Sequence, residues 1–232
     1  MTLPLVLLPG MMCDARLFGP QIDAFSAARV VQVAPIGGHD SVAALAREVL
    51  LHAPPVFALL GLSMGGIVAM EVMRQAPQRV RGIALLDTNP LAETEQAKAK
   101  RAPQIAMVNQ GHLRAVLQKD MKPNYLMAGP DKDRLLQLCM DMALALGPQV
   151  FEHQSVALRD RIDQSVTLMA SRIPSLLMCG EHDQLCPLDR HQLMQQFMPH
   201  ATLEVIDNAA HLPTLEQPQQ TNAALLRWLQ QF

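Results

Sequence analysis

Residues 56–71, VFALLGLSMGGIVAME, admit very few folds. A short apolar run at 56–60 has the length and composition of a strand. It breaks at Gly61-Leu62-Ser63-Met64-Gly65-Gly66, after which Ile67, Val68, Met70 and Val72 continue at helical spacing. This is G-x-S-x-G set between a strand and a helix. So sharp a turn is expected to strain Ser63 and aim its hydroxyl out of the end of the sheet. Side chains two positions to either side would collide there, which explains Gly61 and Gly65. The helix after Ser63 offers unpaired N–H groups and a partial positive charge to an oxyanion. The bland alternative is a glycine-rich turn before a core helix, and the rest of the chain decides between the two.

Strand and helix signals alternate around this stretch. Apolar strand-like runs occupy 3–8, 29–34, 56–60 and 80–86, and strands resume at 175–179 and 201–206. Helical patterns fall at 19–25, at 42–53 behind a Ser41 cap, after Ser63 as far as Pro77, and at 219–232. Such alternation predicts an α/β fold, a mostly parallel six-stranded sheet flanked by helices, in the order 2-1-3-4-5-6. Between 90 and 172 the pattern is helical only, with segments at 93–99, 112–120, 131–146, 149–158 and 165–172 punctuated by Pro103, Pro123, Pro130 and Pro148. Residues 90–165 are therefore expected to form a helical cap. Residues 1–89 and 166–232 form the core, with the cap on the side where such sheets bind ligands.

Composition narrows the partners. Half of the 232 residues are hydrophobic and 17% are charged, as in a globular chain, and the net charge of -2 argues against nucleic acid as a partner. No apolar run is long enough to span a membrane. The opening MTLPLVLLPG lacks a basic n-region and a cleavage site, so it reads as a strand. Cys13, Cys139, Cys179 and Cys186 lack CxxC spacing, which fits reduced thiols in a cytoplasm. No cluster has metal spacing, and neither a phosphate loop nor a dinucleotide fingerprint occurs, so neither cofactor nor metal is expected.

A serine at such a turn needs a base, and the base needs a carboxylate. Asp183, in Cys179-Gly180-Glu181-His182-Asp183, follows the fifth strand, and His211, in Asn208-Ala209-Ala210-His211, follows the sixth. Both loops lie at the same sheet edge as Ser63, in the chain order Ser, Asp, His. Asp87, ending the fourth strand, is the alternative acid.

At these residues the chain resembles the α/β-hydrolase superfamily, near its small capped esterase-like branch. The likeness runs through the L-L-P-G loop, GLSMGG, CGEHDQLCP and AAHLPTLEQP. It implies Ser63 as nucleophile, His211 as general base and acid, Asp183 as orienting carboxylate, and the N–H groups of Met11 and Met64 as oxyanion hole. The expected reaction is cleavage of a small or medium carboxylic ester through an acyl-enzyme. Thioester, lactone or carbon–carbon hydrolysis, or slow receptor-like ligand binding, are the alternatives. The first strand expected here is the one leading into Pro9-Gly10, which the family usually precedes with two others; its His-Gly is Pro9-Gly10, and its D-x-x-G-H-G loop is Ile36-Gly37-Gly38-His39-Asp40.

Remaining candidates carry blander expectations. His39 and His182 read as structural, Cys13 and Cys186 as fillers near the pocket mouth, and Glu216 with Pro218 as supports for the His211 loop. Met107, Met121, Met127, Met140 and Met142 either line a pocket or pack the cap. The walls Met11, Met12 and Met64 point to an apolar acyl chain. Arg101, Arg114, Lys119, Lys122 or Arg159, turned inward, would select an acidic group instead.

Overall fold

A computed structural model of the chain describes residues 2–121 and 124–232. Six parallel strands form one sheet in the order β2-β1-β3-β4-β5-β6. They are β1 (Leu5–Leu8), β2 (Val31–Val33), β3 (Phe57–Leu62), β4 (Val80–Leu86), β5 (Ser175–Gly180) and β6 (Thr202–Ile206). The expected order is the observed one. Strand ends move by a few residues: β1 starts at Leu5, β2 shortens, and β3 runs on through Gly61 to Leu62, because its pairing with β4 lasts to Leu86.

Alternation along each strand divides the core between the two faces of the sheet. Leu5, Leu7, Ala58, Leu60 and Leu86 belong to one cluster with Phe18, Leu225 and Trp228, beneath α1 (Gly19–Phe25) and α10 (Pro218–Leu229). Val6, Leu8, Leu59 and Leu85 belong to the other with Leu45, Val49 and Val68, beneath α2 (Val42–His52) and α3 (Met64–Gln75). All six β3 residues are buried, as a central parallel strand covered on both faces requires. Truncating one of them, Leu60→Ala, should cost about 2–5 kcal/mol. Ser41 caps α2 as expected, its hydroxyl accepting from the Ala44 N–H at 3.2 Å.

Between β4 and β5 the described chain is helical: α4 (Glu95–Asn109), α5 (Leu113–Val116), a π turn at Leu117–Met121, α6 (Lys132–Arg159) and α7 (Ser165–Ala170). Pro103 does not break α4, contrary to expectation. A proline in a helix interior costs roughly 3 kcal/mol, and burial of Val108 with Ile105 packed against the same cluster offsets it. Gly147, at φ 83° and ψ 178°, divides α6 into two helices, and Pro148 restarts the second. Pro123 and Lys122 lie outside the described residues. Among those described, no helix is long and apolar enough to cross a membrane.

Candidate active site

Strand register brings the chemistry together. Leu8 pairs with Gly61 and Gly61 with Leu85, so the loop after β1, Ser63, and Asp87 leave the same edge side by side. Ser63 sits at φ 54° and ψ -117°, a strained conformation held from three sides. Its N–H donates to the Leu86 carbonyl at 2.9 Å, its carbonyl accepts the Gly66 N–H at 2.9 Å, and the Thr88 hydroxyl donates to that carbonyl at 2.7 Å. A Cβ on Gly61 would overlap the Gly65 carbonyl, and one on Gly65 would overlap the Leu8 and Pro9 carbonyls. The collision expected from the sequence is therefore one of backbone against backbone.

His211 Nε2 lies 2.9 Å from Ser63 Oγ, and its Nδ1 lies 2.8 Å from Asp183 Oδ2. A carboxylate at Nδ1 fixes the proton there, leaving Nε2 to accept from the serine hydroxyl. Burial alone would raise the Asp183 carboxyl, but hydrogen bonds from His211, Leu185 and Cys186 outweigh it and hold the group below its usual range. Asp87 is fully buried, and its Oδ1 accepts the Gly180 N–H at 2.8 Å. Burial first, and the neighbouring Asp183 second, push it well above the usual carboxylate range, which favours the neutral acid. Of the two carboxyls, Asp183 is the one that holds His211.

Further residues hold these groups in place: Glu216 supports the His211 loop as expected, whereas Tyr125, Gln154 and His191 carried no sequence signal. Glu216 Oε2 accepts from Ala210 and Leu212, and its Oε1 from Met127. The Tyr125 carbonyl accepts the His211 N–H at 3.0 Å, and its ring stands 5.6 Å from the imidazole. Gln154, buried in the second half of α6, accepts the Met12 N–H at 2.8 Å and donates to the Ile36 carbonyl at 3.0 Å. It thereby anchors the turn carrying Met11, where Met12 adopts φ 56°. His191, buried behind Thr88, accepts that residue's N–H at 3.3 Å, and burial lowers its imidazole to about 4.

A cavity of about 340 Å³ opens before Ser63 and His211, walled by Met11, Met64, Ile67, Tyr125 and Leu158. Glu93, Lys100, Arg101 and Arg161 also line it. Arg101 thus faces inward, whereas Arg114, Lys119 and Arg159 do not line this cavity, and Lys100 and Arg161 join unannounced by the sequence. Of the expected walls, Met12 is absent; Met107, Met127, Met140 and Met142 line none of it, Met140 and Met142 being core. Cys186 lines it with a thiol that burial keeps protonated, while Cys13 lies instead on a larger cavity of about 610 Å³ behind the Pro9–Cys13 turn. His39 stands 3.6 Å from Glu48 and His182 3.3 Å from Glu181, both exposed and away from Ser63.

Among the described residues, Asp183, Cys186 and His211 bring one donor atom each within 4.8 Å. Two of those atoms already bond each other and the third is a protonated thiol, so a metal would have to displace the hydrogen bond that orients His211.

A parallel sheet in this order, with a serine on a strained strand-to-helix turn facing a histidine and a carboxylate, defines a hydrolase class. The chain matches the Alpha/beta hydrolase family over residues 5–224 and belongs to it. It is 27% identical to a pimeloyl-[acyl-carrier protein] methyl ester esterase of Klebsiella pneumoniae, with 92% of this chain and 88% of that one covered. A protein of the same name from Aliivibrio salmonicida is 25% identical, covering 97% of this chain and 92% of its own. Among solved structures, a malate-bound thermophilic esterase from Thermogutta terrifontis is similar with TM-score 0.91, 24% identity, and coverage of 100% and 90%. The enol-lactonase from Burkholderia xenovorans LB400 gives TM-score 0.86 at 18% identity, covering 99% and 92%.

Proposed function

We propose that this chain is a serine hydrolase that cleaves a small or medium carboxylic ester through an acyl-enzyme on Ser63. The observation that carries the reading is the unbroken chain from Ser63 Oγ to His211 Nε2 at 2.9 Å and from His211 Nδ1 to Asp183 at 2.8 Å. In this mechanism Ser63 attacks the ester carbonyl while His211 takes its proton. Asp183 steadies the imidazolium, and the N–H groups of Met11 and Met64 hold the oxyanion, each worth about 3 kcal/mol. His211 then protonates the leaving alcohol. Water, activated by the same histidine, attacks the acyl-enzyme and releases the acid and free Ser63.

Residues 90–165 act as the cap of this enzyme, supplying Arg101, Tyr125 and Leu158 to the cavity. Four cysteines that remain thiols suit a reducing cytoplasm. The names of the curated relatives make a pimeloyl-carrier-protein methyl ester the first natural substrate to try.

A fluorophosphonate should label Ser63, and short methyl and p-nitrophenyl esters should turn over. Ser63→Ala should lose both properties. Absence of labelling together with absence of turnover on every ester would refute the proposal.

A further inference from the structure

Resting on the esterase reading above, we propose that the cavity before Ser63 selects esters that carry a carboxylate, which Arg101 binds with help from Lys100. Among the described residues, Lys100, Arg101 and Arg161 bring positive charge to the cavity lining and Glu93 is its one carboxylate. Glu93 receives both arginines on a single oxygen, Oε2: Arg101 Nη2 at 2.9 Å and Arg161 Nη1 at 3.0 Å. One carboxylate cannot neutralise two guanidinium groups, and the side chains are only 17% and 8% exposed, so water does little to offset the surplus.

The two arginines are not equivalent. Arg161 is committed, since its Nε also donates to the Leu91 carbonyl at 2.9 Å. Arg101 points Nη1 at the Met11 thioether at 3.7 Å, a strong donor facing a weak acceptor. Met11 itself lines the cavity beside Ser63, so a carboxylate there would give Arg101 Nη1 a charged acceptor in place of the thioether. Exposed Lys100, next to Arg101 on α4 and lining the same cavity, adds attraction at the entrance. Glu93 and Arg161 then serve as the frame that holds Arg101 in place.

The experiment compares kcat/KM for pairs of esters differing only in charge. On the acyl side, the monomethyl esters of glutaric and adipic acids are set against the methyl esters of the corresponding monoamides. On the alcohol side, the butanoate ester of glycolate is set against that of glycolamide. In at least one pair the carboxylate should be preferred about 10- to 100-fold, the range of a hydrogen bond to a charged group. Arg101→Gln should bring that ratio close to one, chiefly through KM. Lys100→Gln, on an exposed position that folding does not need, should reduce it several-fold, and added salt should reduce it in the unaltered enzyme.

Ratios at or below one in every pair, while the amides turn over, would overturn this inference and leave the esterase reading standing. A carboxylate preference unchanged in both variants and by salt would overturn it too, reducing the arginine cluster to a brace for the chain around Glu93. No turnover in any pair and no labelling of Ser63 would remove the esterase reading and this one with it.

Discussion

Glu216 grips the peptide groups on both sides of His211: its Oε2 accepts the Ala210 N–H at 2.9 Å and the Leu212 N–H at 3.2 Å. The imidazole is thus aimed by a carboxylate that never touches it. Glu216→Gln leaves one oxygen where the carboxylate had two, so either the Met127 N–H on Oε1 or the Ala210 and Leu212 pair on Oε2 loses its acceptor. An unmet buried donor costs about 1–3 kcal/mol, which urea unfolding would register. We expect kcat to fall about ten-fold or more with KM little changed, as one misaligned catalytic group produces. Wild-type kcat in this variant would show that the loop holds itself.

The two buried carboxyls separate by substitution. Asp183→Asn removes the charge at His211 Nδ1 and favours the wrong tautomer, a change that costs about 10⁴ in kcat in the serine-protease template. Asp87→Asn replaces a neutral acid by a neutral amide of the same shape, so kcat should stay within a few-fold. Steady-state kinetics of both variants decide the matter, and the reverse pattern would make Asp87 the working acid.

Acidity should weaken the fold through His191. Its imidazole is buried and lowered to about 4, below the 6.5 of a free side chain, so between these values the unfolded chain binds a proton that the native chain refuses. Stability therefore rises with pH across that window and falls as the pH drops towards 4, by roughly 1.4 kcal/mol per unit from this group. His191→Gln should show a shallower loss between pH 6.5 and 4.5 in urea titrations. Parallel curves for the two proteins would exclude the histidine as a source.

Gln154 tests how far the second half of α6 governs the turn at Met11. Gln154→Leu strands the Met12 N–H and the Ile36 carbonyl, at about 1–3 kcal/mol for each group left unmet. The turnover of a neutral ester should fall with it, because the Met11 N–H is proposed to hold the oxyanion. Thermal unfolding and kcat measured together separate this from simple loss of folded protein.

The sheet was legible because its signals are local. Apolar runs at strand length, the Ser41 cap and the glycines around Ser63 each report on their own few residues. Strand order followed from chain connectivity, and the hydrogen bonds of Ser63, His211 and Asp183 followed from loops that a parallel sheet must place on one edge. Gln154 and Met12 are 142 positions apart, and Tyr125 reaches His211 across 86. Nothing in the neighbourhood of either residue announces its partner. The direction of Arg101 was undetermined for a related reason: a helix of weak amphipathicity does not say which side meets the cavity. Of the expected walls Met11 and Met64 line it and Met12 does not, while Lys100 and Arg161 join them. Pro103 misled because a proline marks a cost, not a boundary, when packing outweighs it.

At Gly61, Gly65 and Gly180, the serine and histidine loops close on neighbouring backbone at distances that no side chain tolerates. Part of the wall facing the ester, by contrast, is built from side chains on α4 and on the loop around Leu185. Outside Met11 and Met64, which serve both, reaction and recognition are therefore encoded in separable parts of the chain. A library of substitutions at Ala97, Lys100, Gln104 and Leu185 would explore new esters without touching the main-chain seats of Ser63 and His211, whereas one spanning the three glycines would yield mostly misfolded protein.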